Sequence, residues 1–120
     1  MRESKTTNPE LIQLIRNLKK QSREKDARIW IDVAKFLSKP SRQRIAVNLS
    51  AINRNTTDQE TVIVPGKVLA SGTLDHVVTV VSFDVSAEAK TKITAANSKY
   101  LSIQELMEQN PTGSKVRIIG

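Results

Sequence analysis

The chain contains no cysteine, which removes disulfides, thiol nucleophiles and cysteinyl zinc sites. Its single histidine, His76, cannot build a histidine-rich metal centre. Aromatic residues make up 3% of the chain, so any core must be mostly aliphatic. They are Trp30, Phe36, Phe83 and Tyr100. Long apolar runs are missing as well, and none approaches the roughly 20 residues a membrane helix needs. The opening Met1-Arg2-Glu3-Ser4-Lys5 leads into a mixed charged segment, unlike a secretory signal. These absences point to a soluble protein of a reducing compartment, and the expected setting is cytoplasmic.

What the chain does have is positive charge. Lys and Arg number 19 against 12 Asp and Glu, a net +7. Such an excess favours a polyanionic partner, because each neutralised phosphate releases condensed counterions. The excess is also placed unevenly. Residues 1–54 hold 13 basic and 5 acidic side chains, whereas residues 55–120 hold 6 and 7. All the net charge therefore lies in the first half, which suits a binding face better than general solubility. At 120 residues the chain fits one domain.

Residues 1–7 read as a flexible basic arm, and residues 8–120 as a single domain. Asn8-Pro9-Glu10 is a helix start: a cap, a proline suited to the first helical position, and an acid that complements the dipole. Leu11, Ile12, Leu14, Ile15 and Leu18 form an apolar stripe at helical spacing. Arg16, Lys20 and Arg23 share a different face, and Lys19 joins them as a candidate phosphate contact. A second helix is expected from about Arg28 to Leu37, with Ile29, Trp30, Val33, Ala34, Phe36 and Leu37 on one face and Trp30 in the core. Ile31 falls on its polar side. Pro40 ends that helix. The basic loop that follows brings Lys39, Arg42 and Arg44 together for phosphate binding.

The remainder is richer in strands. Ile45–Leu49 reads as a short strand, and residues 50–60 as a loop or short helical turn. Thr61–Val64 reads as a strand, Pro65-Gly66 as a turn, and Lys67–Leu69 as the returning strand. Val77–Val85 is β-branched and reads as a buried strand. Ser86 can cap a helix that turns Ala89, Ile93 and Ala96 inward. Ser102-Ile103-Gln104-Glu105 matches a capping box, with Leu101 and Leu106 as its hydrophobic staple. Asn110-Pro111-Thr112-Gly113 fits a turn, and Val116–Ile119 a last strand. The fold class is thus α/β: a single mixed domain whose N-terminal third is helical and basic.

Catalytic patterns fail one by one. Asp75-His76 is a pair of a kind that hydrolases use, but a lone histidine in a polar loop is ordinarily a surface residue. Gly66-Lys67 lacks the Walker spacing, since position 61 is Thr and position 68 is Val. The paired strand aromatics of an RNA-recognition motif are absent, so binding should rest on phosphates and RNA shape. The readings left open are an RNA-bound structural protein, a free-standing nucleic-acid-binding or chaperone protein, and a small Asp/His hydrolase.

Several segments carry a family resemblance. They are Ile29-Trp30-x-Asp32-Val33-Ala34-x-x-Leu37-x-Lys39-Pro40-x-Arg42-x-Arg44-x-x-Val47-Asn48-Leu49-Ser50 and Val64-Pro65-Gly66-Lys67-Val68-Leu69-x-x-Gly72. Asn8-Pro9-x-Leu11 precedes them, and Asn110-Pro111-x-Gly113-x-x-Val116-Arg117-Ile118-Ile119-Gly120 closes the chain. Together they resemble the archaeal and eukaryotic large-subunit ribosomal protein family called "L eighteen e", a relative of bacterial "L fifteen". The order of the segments matches along nearly the whole chain, and the short length looks archaeal. The resemblance implies a fold of irregular β-β-α turns, a place in the cytoplasmic ribosome, and no enzymatic activity, cofactor or metal. It implies large-subunit ribosomal RNA and neighbouring ribosomal proteins as partners, with no membrane and no small-molecule substrate. Lys39, Arg42, Arg44, Arg54 and Lys67 match its basic positions. Ile31, Ala51 and Ala70 depart from its pattern.

Overall fold

The structure, a computed structural model, describes residues 9–39 and 45–119. The expected arm at 1–7, the Asn8 cap and the loop residues Arg42 and Arg44 lie outside the described residues.

Helix α1 spans Pro9–Lys25 and buries Leu11, Leu14 and Leu18, the positions that recur once per turn. It ends at Asp26, whose positive φ of 50° lets the Ala27 N–H reach back to the Ser22 carbonyl. Helix α2 spans Arg28–Leu37, as its periodicity expects, and buries Trp30, Val33, Ala34 and Leu37. The Trp30 indole N–H donates to the Pro111 carbonyl at 2.7 Å, so the buried ring also ties α2 to the C-terminal turn. Ile31 is half buried on the outer side, and nothing in the structure explains it.

Beyond α2 come β1 (Ile45–Asn48), α3 (Leu49–Asn55), β2 (Glu60–Leu69) and β3 (Val78–Val85). They are followed by α4 (Ala87–Ala95), β4 (Lys99–Ser102), α5 (Ile103–Gln109) and β5 (Val116–Ile118). The caps behave as their sequences require. The Ser86 hydroxyl accepts from the Ala89 N–H, and Ser102 with Glu105 closes a full capping box. The Gly113 N–H donates to the Asn110 carbonyl at 2.9 Å, closing the expected turn.

Two expectations need correction. Pro65-Gly66 is not a turn between antiparallel strands. β2 runs straight through it, and the irregularity appears only as a register shift against β3 between Val64 and Lys67. Proline is tolerated in a strand at such a bulge, because there a missing N–H breaks no regular ladder bond. Glycine is required for a different reason: a Cβ at Gly66 would run into the carbonyl of Ile45 on β1. Second, β4 lies at Lys99–Ser102, where the sequence reading expects no strand. Its registered partner is Thr79–Ser82 of β3, distant in sequence.

Among the described residues every strand pairing is parallel. The path is β1-β2-β3-β4, with β5 also on β2. β5 pairs with Thr61–Ile63 and β1 with Gly66–Leu69, so the two short strands share one edge of β2 end to end. Helices cover both faces, as a parallel sheet demands. On one face Ile63 and Val81 pack with the apolar residues of α1, α2 and α5. On the other Val62, Val64, Val68, Val78 and Val80 pack with Leu49 and Ile52 of α3 and Ala89 and Ile93 of α4. The alternation along β2 and β3 divides these two cores.

Candidate functional site

Because α1 buries one side, its remaining side faces water. Arg16, Lys19, Lys20 and Arg23 are all exposed there, and successive members three or four residues apart share that face. Among the described residues none of the four has a carboxylate within salt-bridge distance; the ion pairs found are Arg28–Asp32, His76–Asp75 and Arg117–Glu60. Ile12, expected in the apolar stripe, belongs to the outer row instead and is 37% exposed. One turn before Arg16, it puts an apolar contact at the start of a cationic ridge. Helical spacing alone does not separate Ile12 from the core, because a five-member stripe is wider than the surface α1 buries.

The other candidate cations sit on separate elements. Lys39 follows α2, and its ammonium lies 5.0 Å from the centre of the Phe36 ring. Lys67 is exposed on β2. Its neighbour Val68 points into the α3–α4 core, so alternation turns Lys67 to the side that carries α1 and α2. Arg54 is exposed on α3, in the opposite layer. The row on α1 is therefore one contiguous set, and Arg54 is separated from it by the sheet. Arg117, not singled out by the sequence reading, is committed internally: it pairs with Glu60 at 3.2 Å and donates to the Asn55 carbonyl.

The Asp75-His76 pair forms a relay in geometry alone. His76 Nδ1 lies 3.0 Å from Asp75, and Nε2 lies 2.7 Å from the Thr56 hydroxyl. The ring is 18% exposed, so it is not the surface residue its loop suggested. The Thr56 hydroxyl, however, is buried and donates to the Ile52 carbonyl at 2.7 Å. A hydroxyl held this way is a structural link between α3 and the loop before β3, with no open face for a substrate. The His76 ring, followed by the Asn53 side chain, holds the Asp75 carboxyl below its ordinary range. Among the described residues no group of three acidic or histidine side chains could hold a metal ion. No described helix is long and apolar enough to cross a membrane.

The described residues thus form a parallel sheet between two helical layers, with a row of cations lacking carboxylate partners along one outer helix. Comparison with known proteins gives the class. No family model matches the chain. Curated relatives do: large ribosomal subunit protein eL18 of Methanothermobacter thermautotrophicus is 49% identical over 119 residues, covering 99% of this chain and 98% of the relative. The eL18 of Methanococcus maripaludis is 44% identical over 119 residues, 99% of each chain. That of Halobacterium salinarum is 47% identical over 113 residues, 94% of this chain and 97% of the relative. The chain is thus a ribosomal protein of the large subunit, a structural component and not an enzyme. It belongs to the eL18 family, in agreement with the resemblance carried by its Trp-Asp, Pro-Gly-Lys and Asn-Pro segments. Membership places it at the cytoplasmic ribosome.

Proposed function

We propose that the chain binds folded large-subunit ribosomal RNA through backbone phosphates, with Arg16, Lys19, Lys20 and Arg23 as the principal contact. The observation that carries this reading is the state of that row: exposed, in register along one helix face, and without carboxylate partners among the described residues. Cations that support a fold are normally engaged, as Arg117 is here. Unengaged cations on a rigid, core-anchored helix are preorganised for phosphates. Lys39 after α2, Lys67 on the sheet, and Arg42 and Arg44, which follow Lys39 in the sequence, add further phosphate contacts. Arg54 supplies a second contact on the opposite layer. Residues 8–120 dock as one domain, and neighbouring ribosomal proteins complete the surroundings.

The test is filter binding to transcribed large-subunit ribosomal RNA across a salt series. Each phosphate contact contributes roughly 0.7–0.9 to the slope of log affinity against log salt. Combined Arg16→Glu, Lys20→Glu and Arg23→Glu should weaken binding and shallow the slope by about 2 or more. A variant that binds with the parental slope would overturn the assignment of α1.

A further inference from the structure

Three of the four aromatic side chains are spoken for. Trp30 is fully buried, Phe83 packs against the core of α1, α2 and α5, and Tyr100 packs against that of α3 and α4. Phe36 joins neither cluster. Its spacing in α2 puts it beside the buried face, but the ring turns out half-exposed into a cleft of about 430 Å³. Among the described residues its other walls are Asp32, Lys35, Lys39 and Ile118.

We propose that Phe36 is a stacking platform for one unpaired nucleobase of the RNA, with Lys35 and Lys39 receiving the phosphates beside it. The inference rests on the RNA-binding reading above and assigns it a site. A single-stranded nucleotide asks for two things, a π face and nearby cations, and the cleft supplies both. The Lys39 ammonium, 5.0 Å from the ring centre, shows that the ring is approachable by a hydrated group. That contact is weak at an exposed site, so a base can take the ring while the ammonium moves to a phosphate. Ile118 gives the base edge an apolar wall. Among the described residues Asp32 is the one anion lining the cleft, and Arg28 lies 4.0 Å from its carboxylate. The remaining charge favours a nucleotide over an acid-poor protein loop. The scarcity of aromatics then limits stacking to one site; it does not abolish it.

The test compares Phe36→Leu and Phe36→Tyr in the full chain, bound to transcribed large-subunit ribosomal RNA over a salt series. Leucine keeps apolar bulk without a π face, and tyrosine keeps the face. Phe36→Leu should bind roughly five- to a hundred-fold more weakly with an unchanged salt slope, while Phe36→Tyr stays near the parent. Ultraviolet crosslinking, read by mass spectrometry, should join position 36 to a base. Equal weakening by leucine and tyrosine would mean that shape matters and stacking does not, and would overturn the platform. So would a Phe36→Leu protein that binds RNA normally but is lost from assembled subunits, since the cleft would then hold a protein. If Phe36→Leu binds like the parent while charge reversal on α1 weakens binding, the platform falls and the RNA reading stands. If neither set of variants changes binding, both fall.

Discussion

Helices α1 and α4, on opposite faces of the sheet, use their cations in opposite ways. On the side of α3 and α4, Lys92 reaches across to donate to the carbonyls of Ala70 and Gly72, at 2.9 and 3.1 Å. Lys90 of the same helix lies over the Tyr100 ring, 5.8 Å from its centre. On the side of α1 and α2, the row from Arg16 to Arg23 touches no carboxylate among the described residues. Both layers cover the same sheet and both bury aliphatic residues to do so. The difference teaches that the cations of the α1 row hold the fold through no ion pair among the described residues. That row is available for a partner, whereas Lys90, Lys92 and Arg117 of the second half are engaged within the fold.

The sharpest way to test the independence of folding and charge is to damage each core. Trp30→Ala removes a fully buried indole and its hydrogen bond to Pro111, and should destabilise by about 3–5 kcal/mol in urea unfolding. Ile93→Ala on the other layer should cost about 2–5 kcal/mol by the same measure, leaving the salt slope of RNA binding intact. Lys92→Met keeps the stem but strips two carbonyls of their donor, and a loss of about 1–3 kcal/mol is expected. Lys20→Met on α1 makes the matching probe: its melting should stay within about 0.5 kcal/mol of the parent while RNA affinity drops. If Lys20→Met destabilised as much as Lys92→Met, the contrast between the layers would collapse.

The smallest expected effect concerns pH. The Thr57 N–H, at 2.6 Å, and next the Arg117 guanidinium hold the Glu60 carboxyl below its ordinary range. A depressed folded pKa contributes stability above the unfolded value, and that contribution is lost as pH falls through the folded one. Thermal melts taken down through the acid range should therefore show a decline that is shallower in Glu60→Gln. Because the Glu60 side chain stays in contact with solvent, the difference should be slight.

Local signals were readable wherever one stretch of chain carries its own physics. The α2 boundaries follow from its periodicity and from Pro40. The Ser86 and Ser102 caps need only their next three residues. The α1 row follows from helical spacing and from nothing else. Other features are invisible at that range. Val64-Pro65-Gly66-Lys67 carries good turn chemistry, and only pairing with β1 and β3 on either side carries the strand straight through it, with a bulge against β3. Lys99–Ser102 has little strand character of its own and becomes β4 because the β3 edge is there to pair with it. Phe36 and Ile12 share helical spacing with core residues, yet the body of the protein does not reach far enough round the helices to bury them.

By itself the sequence determined where α2 lies, how α4 and α5 are capped, that the net charge is confined to residues 1–54, and that the segments are those of a ribosomal family. These depend on neighbours within a turn or two, or on simple placement along the chain. Only the tertiary structure decided that the described strand pairings are parallel, that β1 and β5 share an edge of β2, and that Arg54 stands apart from the α1 row. It also decided which aromatic ring is left at the surface. Parallel pairing joins segments through long crossovers, so its register and its uncovered faces are set by which distant surfaces meet.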